Sequence, residues 1–213
     1  MLKFLKHFGI YGIIPILNKF IGFLLVPIYT RVFTPDEFGL IEMYRSAGMF
    51  IIFFISMEIY TAVGRYFYDY DTDRERAVLV STGLWFNIIS AVFFVGLLLV
   101  LKDVINARYL NATHIDATYY VVVIWLPLNA IYSYFSVMMR FEKRPKSFLW
   151  INLGQVIVRL STIIFLVVGI KIGISGLFWG NIAGELFGIV AIAIFLKKYF
   201  TFKKKKKILF KLL

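Results

Sequence analysis

The chain has 213 residues, 61% of them hydrophobic, and its mean hydropathy is +0.81. A soluble domain is about 45–50% apolar, so this excess indicates a membrane protein. The absence of cysteine excludes disulfides, and the two histidines, His7 and His114, lie too far apart in the sequence to suggest a zinc site. The net charge of +12 is placed mostly between apolar runs and in the tail, which is typical of a membrane protein beside an anionic leaflet and argues against nucleic-acid binding.

Six apolar stretches are long enough to cross a bilayer, which takes about 20 residues of helix. They cover roughly residues 8–30, 38–68, 77–101, 117–139, 148–170 and 173–197. The second stretch is long, so we expect it to tilt or to run past the bilayer. The connections between the stretches leave no room for a soluble domain. We therefore predict an all-α, polytopic membrane protein whose six transmembrane helices occupy residues 1–200.

The distribution of basic residues predicts the orientation of these helices. Most of the Lys and Arg outside the spans fall on one side of the membrane if the N-terminus is inside. The inner segments then carry Lys3, Lys6, Arg65, Arg74, Arg76, Arg140, Lys143, Arg144, Lys146 and the lysine-rich tail, and the outer segments carry Arg31, Lys102, Arg108 and Lys171. We expect a protein of the inner (cytoplasmic) membrane with both termini in the cytoplasm.

The tail, residues 201–213, is a basic linker that runs into an apolar start at Ile208. Such a start predicts a seventh helix, in which case the chain is the first half of a larger protein. The alternative is a polybasic anchor on anionic lipid.

A helix-start signature stands between the first two spans. Thr34 suits the N-cap, Pro35 suits the first helical position, and Glu37 can complete a capping box. Asp36 also favours the positive end of the helix dipole. These acids therefore have a structural explanation, which weakens the case for a catalytic role.

The stretch VPIYTRVFTPDEFGLIEMYRS (26–46) resembles the end of the first helix, the outer turn and the start of the second helix in bacterial polysaccharide flippases. These belong to the multidrug/oligosaccharidyl-lipid/polysaccharide (MOP) exporter superfamily. The stretch MMRFEKRPKSFLWINLGQVIVRL (138–160), the glycine-rich sixth span and the lysine-rich linker are also similar to that family. The matching positions of the first stretch are Pro27, Thr30, Arg31, Thr34, Pro35, Glu37, Phe38 and Gly39.

This resemblance covers the whole chain but only the first half of a usual family member. It implies one lobe of a two-lobed transporter that moves a lipid-linked oligosaccharide across the cytoplasmic membrane by alternating access, for cell-surface polysaccharide biosynthesis. Its partners would be the lipid-linked oligosaccharide, membrane lipids, and either a C-terminal half or a second copy. No phosphate-binding loop, Ser-His-Asp set or catalytic carboxylate pair is visible. We therefore expect no enzymatic activity, cofactor or metal site.

Ionisable residues at membrane depth usually face a cavity or a partner, because burying them in lipid is costly. Lys19 lies near the middle of the first span, where a cavity position is favoured. In the fifth span, Asn152, Gln155 and Arg159 are three and four residues apart and share one helical face. This face predicts a polar cavity wall, and the alternative is hydrogen bonding that only joins helices.

The second span carries two pairs of charges, at 42/45 and 58/65, and the two pairs face nearly opposite ways on an ideal helix. Both pairs could line one cavity only if Gly39 or Gly48 bends the helix. Glu58 is the more deeply placed acid and is a candidate for ion or proton coupling, with Arg65 as its ion-pair partner. In the sixth span, Glu185 could face the cavity or pair with Lys19 or Arg159, beside a stripe of glycines four apart that predicts close helix packing. That stripe is formed by Gly176, Gly180, Gly184 and Gly188.

Three classes of function fit these features. A flippase explains the cations at membrane depth, since Lys19, Arg31, Arg45 and Arg159 could hold an anionic lipid pyrophosphate. A cation-coupled multidrug exporter of the same superfamily would place acids at the centre of the cavity. A membrane-embedded enzyme of envelope glycan synthesis would need an outer loop rich in acids or histidine, and the longest outer loop, about 102–116, has only Asp103, His114 and Asp116. The flippase is the favoured prediction.

Overall fold

The computed structural model describes residues 22–23, 26–27, 29–105, 116–142 and 145–199. Those before residue 33 are helical, and we number the helices from the first whose bounds are described. They are α1 (Pro35–Ser56), α2 (Ile59–Phe67), α3 (Asp73–Val100), α4 (Lys102–Ile105), α5 (Asp116–Phe141), α6 (Pro145–Ile163), which continues as a π-helix (Ile164–Gly169), and α7 (Ile174–Leu196), followed by a 3₁₀ turn (Lys197–Tyr199). This part of the chain contains no β-strand.

Five helical segments are long and apolar enough to cross a membrane: Pro35–Ser56, Asp73–Val100, Ala117–Phe141, Pro145–Gly169 and Ile174–Leu196. They confirm the predicted all-α, polytopic membrane protein. Much of their outer surface is apolar, with Met49, Val92 and Ile194 each about 70% exposed, as a lipid-facing surface requires. Most of the predicted first span, including Lys19, lies outside the described residues, as do His114 and the tail at 201–213 with its predicted helix start at Ile208.

The predicted second span, 38–68, is divided into α1 and α2 at Met57 and Glu58. Both residues adopt the left-handed conformation, with φ of 41° and 54°. That conformation costs a non-glycine residue about 1–2 kcal/mol, so the surrounding packing must hold the break in place. Gly39 and Gly48, the bending points that the sequence suggested, lie inside the unbroken α1.

The predicted helix start is confirmed at α1. The Thr34 Oγ1 accepts a hydrogen bond from the Glu37 amide (3.3 Å), and the Glu37 carboxylate accepts one from the Thr34 amide (2.9 Å). Thr72 caps α3 in the same way by accepting from the Glu75 amide (3.3 Å). Such caps satisfy amides that have no partner within the helix and contribute about 1 kcal/mol each.

Helix α7 packs closely on α6 along the predicted glycine stripe. A Cβ atom added at Gly184 would lie 2.8 Å from the Arg159 Cβ and 3.0 Å from the Gln155 carbonyl oxygen. The absence of a side chain at this position therefore lets the two backbones meet, as small residues do between membrane helices. The stripe is a packing element, as the sequence predicted.

The bundle has two ends, which we name after one residue each. The Thr34 end contains the start of α1 and the turn between α6 and α7. It is joined by a hydrogen bond between the Thr118 and Ser175 hydroxyls (2.7 Å) and by one from the Tyr119 hydroxyl to the Leu98 carbonyl (2.6 Å). The Tyr199 end is closed by aromatic contacts, in which the Phe67 ring lies 5.7 Å from Phe141 and 5.8 Å from Tyr199. Each end has its own cluster of buried apolar side chains.

Candidate functional site

Arg45 lies on α1 and reaches toward the helical residues that precede it. Its guanidinium Cζ is 5.8 Å from the centre of the Tyr29 ring, a distance at which a cation is attracted to an aromatic face. Its Nη1 also donates to the Glu42 carboxylate at 2.8 Å. The Glu42 side chain is 48% exposed, so this ion pair is of the weak surface kind.

Arg159 approaches the same tyrosine from α6. It interacts electrostatically with Tyr29, and also with Tyr132 and Glu185. Its side chain is half-buried. No carboxylate in the described part of the chain forms an ion pair with it. Arg45 and Arg159, from distant parts of the sequence, thus both lie within electrostatic range of Tyr29. No direct ion-pair partner neutralises the charge of Arg159 among the described residues.

Glu185 brings a carboxylate to this group from α7. Its side chain is 4% exposed, and one oxygen accepts hydrogen bonds from the Trp125 indole (2.9 Å) and the Asn129 amide (2.6 Å). The other oxygen, Oε2, has no hydrogen-bond partner among the described residues. A buried carboxylate with one unsatisfied oxygen is costly to keep charged unless a cation is near, and Arg159 is the cation within electrostatic reach.

These contacts define what we call the Arg159 cluster, which joins the first described helical residues to α1, α5, α6 and α7. Every member is polar or aromatic, and the cluster lies within helices that are mostly apolar. Its members are Tyr29, Arg45, Trp125, Asn129, Tyr132, Arg159 and Glu185.

Asn152 and Gln155 share the face of α6 that carries Arg159, but both are buried between helices, with 7% and 5% exposure. The Asn152 amide donates to the Phe148 carbonyl (2.8 Å), and its oxygen accepts from the Tyr132 hydroxyl (3.2 Å). Asn152 thus joins α5 to α6, which is the alternative role that the sequence left open. The predicted polar face separates into a packed part at 152 and 155 and a more accessible part at 159.

Glu58 and Arg65, the other predicted pair, do not meet in the described structure. Glu58 is exposed at the break between α1 and α2, where it accepts from the Tyr60 hydroxyl (2.5 Å) and the Thr61 hydroxyl (2.9 Å). Arg65 is exposed on α2, with its guanidinium Cζ 5.9 Å from the centre of the Tyr66 ring. Glu58 therefore stabilises the start of α2, and neither residue belongs to the Arg159 cluster.

Arg31 also lies apart from this cluster. It lines a cavity of about 400 Å³ at the Thr34 end, together with Glu37 and Lys171. Of the predicted contacts for an anion, the structure thus brings Arg45 and Arg159 together, places Arg31 elsewhere, and does not describe Lys19.

Four members of the cluster, Tyr29, Trp125, Asn129 and Tyr132, were missed in the sequence analysis. A signal for three of them is present, because Trp125, Asn129 and Tyr132 are four and three residues apart and so share a face of α5. Tyr29 gives no such signal, since tyrosines near the ends of spans are common in membrane interfaces.

Taken together, the fold and the cluster define a multi-pass membrane protein that carries cations and a carboxylate between its helices. Residues 4–213 match the family model described as "Polysaccharide biosynthesis protein". The chain therefore belongs to the polysaccharide biosynthesis protein family, which confirms the predicted resemblance and assigns the chain a general role in polysaccharide biosynthesis. The family also associates it with lipid-linked polysaccharide precursors and membrane lipids. Comparisons with curated proteins and with solved structures gave no match.

Proposed function

We propose that this chain is the lobe of a flippase that moves a lipid-linked oligosaccharide across the cytoplasmic membrane. The observation that carries the proposal is the convergence of Arg45 and Arg159 on Tyr29 within a bundle of membrane-crossing helices. Charged residues between such helices are rare and usually belong to a substrate or ion pathway. Membership of this family also supports a transport function, because its members are generally transporters and not enzymes.

The two arginines suit the pyrophosphate that would join a lipid to its oligosaccharide. A guanidinium presents several N–H donors in a plane and forms paired hydrogen bonds with phosphate oxygens. Arg159 has no competing ion pair in the described part of the chain, and Arg45 can exchange its exposed partner Glu42 for a phosphate. The sugar would then cross between helices while the lipid tail stays in the bilayer. Lys19, if it faces the same space, would add a third cation.

Transport by alternating access requires a second body against which this lobe can move. That body would be a C-terminal half of the protein or a second copy of this chain. The placement of charges supports an inner-membrane orientation in which the Thr34 end faces outward. Three described cations, Arg31, Lys102 and Lys171, lie at that end. Six lie at the Tyr199 end: Arg65, Arg74, Arg76, Arg140, Lys146 and Lys197.

Glu185 is the best-placed residue for coupling transport to an ion or a proton. When ionised, its carboxylate attracts Arg159 and competes with a phosphate for that cation. When it is neutralised by a proton or a bound cation, Arg159 is released to the substrate. Glu58 is the weaker candidate, because its carboxylate is already hydrogen-bonded at an exposed helix break.

The experiment replaces each arginine with glutamine in the native gene and measures cell-surface polysaccharide. A charge-assisted hydrogen bond contributes about 1.5–3 kcal/mol, so we expect Arg159→Gln to lower surface polysaccharide by about tenfold or more. Arg159→Lys should retain part of the activity, because the charge remains while the paired geometry is lost. The control is Arg74→Gln, which removes an exposed arginine at the start of α3. Normal polysaccharide in both Arg45→Gln and Arg159→Gln, at normal protein levels in the membrane, would refute the proposal.

One observation favours a second candidate, the cation-coupled exporter. Glu185 is a buried acid with an oxygen that lacks a hydrogen-bond partner among the described residues, and an exported cation could bind there. Efflux of a cationic dye that depends on Glu185 and not on Arg159 would favour the exporter over the flippase.

A further inference from the structure

The cavity that contains Arg31 lies at the Thr34 end, between the helical residues 29–32 and the turn that joins α6 to α7. We call it the Arg31 cavity, and it is defined by Arg31, Glu37, Val167, Lys171 and their neighbours. Its volume, about 400 Å³, falls within the range of about 300–1,000 Å³ found for small-molecule sites. Two cations and one acid line it. What the cavity can bind depends on which of these three groups already have a partner within the protein.

The acid in this cavity is already engaged. The Glu37 Oε2 accepts from the Thr34 amide (2.9 Å) and from the Thr34 hydroxyl (3.2 Å), as part of the capping box of α1. Arg31 and Lys171 are both exposed, and neither forms an ion pair with a carboxylate in the described part of the chain. The cavity therefore presents an excess of positive charge.

A third cation at the same end provides a contrast. Lys102 donates to the Tyr120 hydroxyl at 2.8 Å, and its ammonium lies 4.7 Å from the centre of that ring. The Lys102 ammonium thus contacts Tyr120, whereas Arg31 and Lys171 line a shared cavity. Arg31 and Lys171 are for this reason the pair to test, and Lys102 is the matched control.

The backbone around Lys171 has an unusual conformation that shapes this cavity. Lys171 has φ of 62° and Gly173 has φ of 68°. The preceding π-helix, Ile164–Gly169, supplies Val167 to the cavity wall. Left-handed non-glycine residues and π-helical turns both cost free energy, and both are frequent at functional sites. This turn brings Lys171 to the cavity that Arg31 also lines.

We propose that Arg31 and Lys171 together bind a phosphate group in this cavity. The guanidinium would engage two phosphate oxygens, and the ammonium would add a second charge. The phosphate has two chemical sources: the headgroup of an anionic glycerophospholipid of the bilayer, or the diphosphate of a lipid-linked saccharide. Binding of the first does not depend on any transport activity, whereas the second source rests on the proposed function.

The test uses the full chain, purified in detergent, and two probes. Phosphatidylglycerol represents the phospholipid, with phosphatidylcholine as the zwitterionic comparison, and inorganic pyrophosphate represents the diphosphate. Lipid binding is measured by native mass spectrometry and pyrophosphate binding by calorimetry. Arg31→Gln and Lys171→Gln should each weaken binding of the preferred probe by about tenfold. Arg31→Lys keeps the charge but loses the paired hydrogen bonds, so its affinity should fall between those of the wild type and Arg31→Gln. Lys102→Gln should stay within about twofold of the wild type.

The two probes distinguish the sources. Tight binding of phosphatidylglycerol that pyrophosphate does not displace would identify a bilayer headgroup, and displacement by pyrophosphate would identify a diphosphate. The proposal is overturned if the wild type binds neither probe, or if the Arg31→Gln/Lys171→Gln double variant binds the preferred probe with wild-type affinity. Arg74→Gln removes an exposed arginine outside both sites and should leave this binding unchanged. Binding is measured on the purified chain without transport, so a failure of the proposed transport function would not be mistaken for a failure here.

Discussion

Gly184 offers the most direct test of how the bundle holds its cluster of charges. A Cβ atom at this position would lie 2.8 Å from the Arg159 Cβ and 3.0 Å from the Gln155 carbonyl oxygen. The second of these atoms belongs to the backbone, so it cannot rotate away as a side chain can. Gly184→Ala must therefore separate α6 from α7 locally and displace Arg159.

The size of the effect follows from two opposing contributions. Overpacking of a close contact costs about 1–3 kcal/mol, while replacing glycine with alanine inside a helix gains about 1 kcal/mol. The net change in the free energy of unfolding should be a loss of up to about 2 kcal/mol. Gly96→Ala isolates the second contribution, because Gly96 is exposed in α3 and a Cβ atom there would have no neighbour within 4 Å. That variant should be stabilised by up to about 1 kcal/mol.

The assay is reversible unfolding of the purified chain in mixed micelles with increasing dodecyl sulfate. The difference between the two variants removes the common helix-propensity gain, and we expect Gly184→Ala to be less stable than Gly96→Ala by about 1–3 kcal/mol. Equal stabilisation of the two variants would show that α6 and α7 are not in backbone contact at Gly184. The position of Arg159 beside α7 would then be wrong as well.

Two further predictions concern the membrane orientation and the helix caps. The chain has no native cysteine, so single cysteine substitutions can report the topology. In intact cells, a membrane-impermeant thiol reagent should label Asp103→Cys at the Thr34 end and should not label Arg74→Cys at the Tyr199 end. The reverse pattern would show that the orientation is opposite to the proposed one. Thr72→Ala removes the acceptor for the Glu75 amide and should lower the free energy of unfolding by about 1 kcal/mol. Thr72→Ser keeps a hydroxyl and should be close to the wild type. An equal loss of stability in the two variants would refute the capping role.

Local chemistry explains why much of this fold was predictable from the sequence. The start of α1 depends on Thr34, Pro35 and Glu37, which are adjacent in the sequence and satisfy one another. The five described spans were recognisable because a helix that crosses lipid must be apolar over most of its length. The glycine stripe of α7 was recognisable because its spacing repeats every four residues.

The break between α1 and α2 could not be predicted, and the reason is physical. Met57 and Glu58 have no intrinsic preference for the left-handed conformation that they adopt. Proline and glycine, the usual signals of a break, are absent from positions 57 and 58. The break lies between Ile55, which is buried in the cluster at the Thr34 end, and Ile59, which is buried in the cluster at the Tyr199 end. This placement depends on how distant helices pack, which the order of residues along the chain does not reveal.

The candidate site was predictable only in part for the same reason. Arg45, Arg159 and Glu185 were recognisable individually, because ionisable residues inside apolar helices are unusual. Their neighbours depend on how the helices cross. Tyr29 acquires its role only because α6 brings Arg159 close to it, and the hydrogen bonds to Glu185 come from α5.

Helix packing and the Arg159 cluster are parts of one arrangement. Gly184 and Glu185 are adjacent on α7, so the close approach that Gly184 permits also sets how far Glu185 stands from α6. A larger residue at 184 would move the carboxylate and Arg159 apart together. The attraction between two opposite charges falls with distance and is strong only where water is excluded. The glycine stripe therefore does more than join two helices, because it sets the distance between Glu185 and Arg159, on which the proposed coupling of Glu185 to substrate binding depends.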